Sequence, residues 1–331
     1  MQLFLLILGL AMIIKSADVL IDSSSKIARR YGISSFIIGI TVIAFGTSAP
    51  ELAVGIISGI NHTNQLSLGN IIGSSLSNIA LIVGISAIIM PLYVRDNVLK
   101  REIPMLLGIQ IILAVMLFVD GRLSRTEGCI LLLGFLGFMI YVFRDAKNSM
   151  KIQIDTEGGI DTDGDGNQLP QEAEIKQRNE SLAKLSFLSL ISLLGLFIGG
   201  NLTVDSSTQI AKSLGLSETL IGLTVVALAT TIPELITSIM AALKKEPDIV
   251  LGNCIGSNIF NILLVLGFSS VISPIVAESR LWIDVAAMLI LTIFVLIVSL
   301  VKKKLFRGTG IFLLLSYIAY IIYKVISTVM A

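Results

Sequence analysis

Two short stretches of this chain place carboxylates where a carboxylate is costly. "AFGTSAPE" (residues 44–51) and "ALATTIPE" (residues 227–234) lie inside long apolar runs, and each ends in a glutamate, Glu51 and Glu234. Thr47 stands four residues before Glu51 and Thr230 four before Glu234, so on a helix each threonine shares a face with its glutamate. Ser48 and Thr231 add one hydroxyl each. Pro50 and Pro233 each remove a backbone donor and crowd the carbonyl one turn earlier. Carbonyls from Ala44 to Thr47 and from Ala227 to Thr230 are therefore expected to lose helical partners. In the next apolar run of each region, Ser74/Asn78 and Ser257/Asn261 repeat the four-residue spacing. The inventory is one of oxygens: carboxylates, hydroxyls, amide oxygens and freed carbonyls. Hard cations such as Ca²⁺, Na⁺ and Mg²⁺ take such ligands, whereas zinc and copper prefer nitrogen and sulfur. Ca²⁺ accepts about 6–8 oxygens in flexible geometry, while Mg²⁺ holds a tight octahedron and keeps its waters. A dehydrating cage thus suits Ca²⁺, and Na⁺, close to it in size.

The elements that must position these groups follow from composition. The 331 residues are 54% apolar and only 14% charged, with a mean hydropathy of +0.91; soluble domains carry about 25% charged residues. Ten apolar segments can be read, near 2–22, 33–60, 65–90, 103–120, 126–143, 182–212, 217–243, 248–273, 281–301 and 309–328. Several reach the ~20 residues that cross a bilayer. The expected fold is an all-α polytopic membrane protein with ten transmembrane helices. The first segment lacks a basic start and a small-residue cleavage site, so no removable signal peptide is expected. His62, the one histidine, sits in a polar connection, and Cys129 and Cys254 lie in apolar segments. A zinc site, a histidine relay and a disulfide framework are all disfavoured. A net charge of +1 says little about partners; no nucleic-acid partner is expected, and no obligatory protein partner is evident.

Basic residues give the topology. Lys26, Arg29, Arg30, Arg95, Lys100, Arg101, Arg144, Lys147, Lys244, Lys245, Lys302, Lys303, Lys304 and Arg307 lie on odd-numbered connections. Even-numbered ones hold only Arg122, Arg125, Lys212 and Arg280. The positive-inside rule puts odd connections, including the long polar loop 144–181, in the cytoplasm and both termini outside. Five segments (1–143) precede that loop and five (182–331) follow it, so the halves begin on opposite sides.

The halves also repeat. Residues 22–91 align with 205–274 at a constant offset of 183 without a gap, and 30 of those 70 positions are identical. "IGITVIAFGTSAPEL" matches "IGLTVVALATTIPEL", and "LGNIIGSSLSNI" matches "LGNCIGSNIFNI". The shared residues include Gly, Pro, Ser, Thr, Asn and Glu, so a common taste for leucine does not explain them. Inverted repeats with Gly/Pro-interrupted helices in corresponding positions mark many secondary transporters, with the substrate held near the midplane. Two facing carboxylates there would repel each other and resist burial, at about 2.5–3.5 kcal/mol for each charge on insertion scales. A divalent cation, or several monovalent ones, relieves both problems. Such a carrier prefers to cross loaded, as exchange requires. A H⁺/Ca²⁺ antiporter, with Glu51 and Glu234 as proton carriers, uses the same residues. A cation channel is a further alternative, although channels usually surround a pore with parallel repeats.

The paired "GTSAPE"/"ATTIPE" and "GNIIGSSLSN"/"GNCIGSNIFN" resemble the two alpha-repeats of the cation/calcium exchanger superfamily, most closely its compact prokaryotic sodium/calcium exchanger branch. The resemblance extends over nearly the whole chain. It implies a transporter rather than an enzyme: Na⁺/Ca²⁺ antiport by alternating access in a prokaryotic plasma membrane, with Ca²⁺ and Na⁺ as transported ions and no resident cofactor. It further implies that Glu51 and Glu234 hold Ca²⁺, with Thr47, Thr230 and nearby carbonyls completing the shell. Sodium sites would add the backbone of Ala44 and Ala227, the hydroxyls of Ser48, Thr231, Ser74 and Ser257, and the amide of Asn78. Exchange of about three Na⁺ for one Ca²⁺, as in the family, would be voltage-sensitive, at about 2.3 kcal/mol per charge per 100 mV. Three departures stand out. Ala229 replaces the first half's Gly46. Ser75 stands where Asn258 keeps the usual Asn. Asn261 occupies a position where potassium-dependent members carry Asp, which argues against a K⁺ requirement.

The central loop contains "DTDGDGNQLPQE" (residues 161–172), which fits the EF-hand pattern with Asp161, Asp163, Asp165 and Glu172 as ligands and Gly166 at the turn. The preceding "KIQIDTEGGI" is short and glycine-broken, so a solvated acidic linker is the competing reading.

Overall fold

The computed structural model describes residues 1–61, 64–157, 181–214, 227–277 and 281–329. Among the described residues, eight helices are long and apolar enough to cross a membrane, and a ninth span is a bent pair. In chain order they are α1 (Gln2–Tyr31), the bent pair α2 (Ser35–Thr47) and α3 (Ala49–Ile60), α4 (Ser67–Ile89), α5 (Val98–Asp120), α6 (Arg125–Glu157) and α7 (Leu182–Ser213). Then follow α8 (Ala227–Leu243), α9 (Pro247–Ile272), α10 (Leu281–Lys302) and α11 (Arg307–Val329). The chain is a multi-pass membrane protein. The segment expected over 217–243 is described only as α8, of 17 residues, because its first part lies outside the described residues.

One expectation changes. The fifth helix does not stop at the end of its apolar run but continues to Glu157, so "KIQIDTE" is helical. The EF-hand-like stretch with Asp161, Asp163, Asp165 and Glu172 lies outside the described residues, as does His62. Cys129 is exposed and Cys254 is buried, both as free thiols.

The elements recur at the spacing of the sequence repeat. Helices α4 and α9 end at Ile89 and Ile272. Each holds a six-residue π-helical stretch within one residue of the corresponding place, Ser77–Ile82 and Asn261–Leu266. Two-residue strands follow: β1 (Leu92–Tyr93), β2 (Arg122–Leu123), β3 (Ile275–Val276) and β4 (Lys304–Leu305). They pair crosswise and antiparallel, with Leu92 opposite Leu305 and Leu123 opposite Ile275. These four residues are fully buried. Each ribbon thus satisfies backbone groups while turning one aliphatic pair inward. Helix α5 connects β1 to β2, so the two ribbons sit at its opposite ends, separated by 23 residues, or about 35 Å at 1.5 Å per residue.

Buried helices carry the small and polar residues. Helix α9 is buried without interruption from Asp248 through Leu266. It crosses α2 with backbones nearly touching: a Cβ on Gly252 would lie 2.5 Å from the Phe36 carbonyl oxygen, and one on Gly256 would lie 2.7 Å from the Ala44 Cβ. Such glycines let membrane helices pack closely without a hydrophobic driving force. Helices α1, α6 and α11 form the periphery and expose Phe4, Leu133 and Ile322, as a lipid-facing surface requires.

Candidate functional site

The helix bearing Glu51 is broken. Its two pieces meet at 46°, with Ser48 outside helical geometry at φ −83°, ψ 5°. The ladder resumes at once: the Ser48 N–H donates to the Ala44 carbonyl (3.0 Å) and the Leu52 N–H to the Ser48 carbonyl (3.1 Å). Pro50, in the first turn of α3, has no N–H to offer the Gly46 carbonyl. The carbonyl freed by proline is therefore Gly46's, whereas Ala44's keeps its helical partner, contrary to the sequence expectation. The break gives Glu51 a place in the first turn of a new helix, where the helix dipole favours a carboxylate. The second half does not follow suit. Pro233 lies inside the helix Ala227–Leu243, and the expected matching interruption is absent among the described residues. Ala229 is a better helix former than its counterpart Gly46.

The structure brings the two motifs together. Glu51 and Glu234 are both 1% exposed, and Thr47, Ser48, Ser74, Asn78, Thr230, Thr231, Ser257 and Asn261 are all buried. Ser48 Oγ donates to Glu234 Oε1 (3.2 Å) across the two halves. Thr47 Oγ1 lies 3.4 Å from Ser257 Oγ, and Ser74 Oγ lies 3.4 Å from Thr231 Oγ1. Asn78 Nδ2 donates to Asn258 Oδ1 (3.1 Å). Ala44 is fully buried, and Ala227 is placed in the backbone of α8.

Much of this polar surface is unsatisfied. Both carboxylate oxygens of Glu51, Oε2 of Glu234, Oδ1 of Asn78 and both amide atoms of Asn261 are buried without a hydrogen-bond partner among the described residues. Buried polar groups are almost always paired, and an uncompensated buried charge costs several kcal/mol. Convergent, unpaired oxygens are what a dehydrated cation needs. No cluster of three or more carboxylate, imidazole or thiol groups forms among the described residues, so neutral oxygens must complete any shell.

Sequence reasoning missed two buried members, Asn70 and Asn253. Thr47 Oγ1 donates to Asn253 Oδ1 (3.2 Å), and Thr230 Oγ1 donates to Asn70 Oδ1 (3.3 Å), each reaching into the other half. Their signal was present, since both are the Asn of the repeated "LGN". Gly200 was missed as well. A Cβ there would lie 3.0 Å from Pro50 Cγ and 3.3 Å from Pro233 Cγ, so α7 rests against both prolines.

Comparison with known proteins places these features in context. A family model described as "Sodium/calcium exchanger protein" matches residues 1–144 and 184–326. The chain is 34% identical to inner membrane protein YrbG of Escherichia coli, over 96% of this chain and 94% of that one. It is 31% identical to sodium/calcium exchanger MaX1 of Methanosarcina acetivorans, over 96% and 97%. Among solved structures, the sodium-calcium exchanger NCX_Mj soaked with Na⁺ and Sr²⁺ superposes with a TM-score of 0.80 at 31% identity, covering 97% of both chains.

Proposed function

The chain belongs to the sodium/calcium exchanger family, and from that premise we propose that it is a Na⁺/Ca²⁺ antiporter whose transported ions bind between Glu51 and Glu234. The observation that carries this reading is the pair of buried glutamates with three unpartnered carboxylate oxygens, drawn together through Ser48. Ca²⁺ takes both carboxylates, the hydroxyls of Thr47 and Thr230 and backbone carbonyls. Na⁺ ions occupy overlapping positions with the carbonyls of Ala44 and Ala227, the hydroxyls of Ser48, Thr231, Ser74 and Ser257, and the amides of Asn78 and Asn261. Competition for the same carboxylates couples the two fluxes, because the site holds either Ca²⁺ or Na⁺.

The ten spans form two five-helix repeats, 1–143 and 182–331, related by inversion, and the site opens alternately to the two sides. Strand pairing supports the inversion. β1 and β3 are equivalent in the repeat, yet β3 pairs with β2, at the far end of α5 from β1. Equivalent strands then lie at opposite membrane faces. Basic residues orient the frame with the 144–181 loop in the cytoplasm and both termini outside, in a prokaryotic plasma membrane.

The test is ⁴⁵Ca²⁺ uptake into proteoliposomes under imposed Na⁺, K⁺ or H⁺ gradients. An outward Na⁺ gradient should drive uptake. Uptake that needs only a pH gradient would replace this reading with H⁺/Ca²⁺ exchange, and saturating uptake with no counter-ion would replace it with a channel.

A further inference from the structure

We infer that Asn253, and to a smaller degree Asn70, is a positioning residue for ion binding. It takes the hydroxyl proton of the threonine in the opposite half, so that the threonine's lone pairs face the ion. The inference rests on the placement of the ion site proposed above.

A hydroxyl that ligates a cation must turn its proton away from the charge. In a buried site that proton needs an acceptor, because leaving it unmade carries the full desolvation penalty. Thr47 is fully buried. Its Oγ1 lies 3.2 Å from Asn253 Oδ1, with the Ala44 carbonyl as a longer alternative at 3.3 Å. Asn253 is itself fully buried, and its Nδ2 donates to Ser238 Oγ (3.0 Å). That bond anchors the far end of the amide, whose oxygen lies towards Thr47. The reverse amide orientation would aim an N–H at Thr47 Oγ1 and occupy the lone pair that the ion needs.

The mirror contact tests whether anchoring matters. Thr230 donates to Asn70 at 3.3 Å, but Gly55 stands where the second half has Ser238. Asn70 Nδ2 accordingly has no partner among the described residues. The same amide is held at both ends in one half and at one end in the other. Asn253 therefore presents a fixed acceptor, and Asn70 a looser one. Both contacts cross between halves, so each threonine's asparagine acceptor is supplied by the other half.

The experiment is a double-mutant cycle of Thr47→Val and Asn253→Leu in the full-length protein. Half-saturating Ca²⁺ is read in proteoliposome uptake and, independently, from the Ca²⁺-dependent rise in Tm of the purified protein. Each single change should raise half-saturating Ca²⁺ about tenfold, the scale of one hydrogen bond to a charged site, with a smaller change in maximal rate. Because Asn253 acts through Thr47, the double variant should also stand near tenfold, whereas independent effects would multiply to about a hundredfold. A hundredfold result, or an unchanged half-saturation in Asn253→Leu, overturns the inference. If Asn253→Leu does not fold, the mirror cycle of Thr230→Val and Asn70→Leu decides by the same criterion, with single effects of about threefold. Glu51→Gln run alongside separates the two proposals. Normal transport in that variant removes the ion site itself. Abolished transport with a multiplicative cycle removes only the positioning role.

Discussion

The two glutamate motifs are related residue by residue, yet they are mechanically different. In the first half the helix breaks at Ser48 and bends by 46°, and Glu51 starts a fresh helix with neither carboxylate oxygen paired. In the second, Pro233 is carried inside one helix, and Glu234 is tethered by Ser48. The difference traces to small residues around the proline. Gly46 admits Leu193 of α7: a Cβ there would lie 2.1 Å from Leu193 Cδ2. Ala229 at the equivalent position favours continuous helix. One glutamate is thus bonded across the halves through Ser48, and its counterpart sits in the first turn of a new helix. Repetition in sequence duplicates the ligands without duplicating how they are mounted.

The largest effect should come from the carboxylates themselves. Glu51→Gln and Glu234→Gln should each lower Ca²⁺ uptake by a factor of about 100 or more, since a neutral amide cannot replace a charge-assisted ligand in a dry site. Normal uptake in both would remove the site. Next in size is Gly46→Ala, which forces a methyl group against Leu193 and should destabilise the purified protein by about 1–3 kcal/mol. The reciprocal Ala229→Gly should change stability by about 1 kcal/mol or less. Thermal unfolding of Gly46→Ala with and without Leu193→Ala checks this, because truncating Leu193 should restore the loss. An equal response of Gly46→Ala and Ala229→Gly would contradict the asymmetry.

Smaller still is Ser48→Ala, which should raise half-saturating Ca²⁺ about tenfold through loss of one bond to a carboxylate. If Glu234 is the pre-positioned partner, maximal rate should suffer less than affinity. The smallest effect belongs to the strand ribbons' exposed trim. The Lys303 ammonium lies 2.8 Å from Asp96 and holds its carboxyl below the usual aspartate range. A depressed folded pKa means that this contribution is present above the ordinary aspartate value and fades as pH falls through the lowered one. Lys303→Gln should leave Tm at neutral pH and physiological salt unchanged within error, because exposed pairs are heavily screened. A clear drop would give the ribbon at β1 and β4 a larger structural share than its mate.

Much of the architecture was legible because the repeat is written in residues that cannot be swapped freely. Matching Gly, Pro, Asn and Glu gave the helix positions, the paired motifs and most of the buried oxygens. The one-sided break was not legible, since both motifs carry the proline and the outcome depends on Leu193, far away in sequence. The strands escaped notice because two residues make no periodic pattern. Asn70 and Asn253 were quoted within a motif but assigned nothing, because only the fold shows that each faces the other half's threonine. Ser75 was visible as a departure, and its consequence is structural. Asn78 bonds to Asn258, whereas in the equivalent pair the Asn261 amide and the Ser75 hydroxyl both remain unpaired among the described residues. Helix α6 outran its apolar stretch, continuing through charged residues to Glu157.

The strand ribbons have a consequence for how such a chain can be divided. Each half lends an edge to the other at both ends of α5, Leu92 to Leu305 and Leu123 to Ile275. A half separated from its sister would carry two stranded edges and two bare aliphatic side chains at the rim of the bilayer. The pieces are thus like clasped hands rather than stacked bricks: a gene cut after the codon for Glu157 should yield two fragments that persist only when made together.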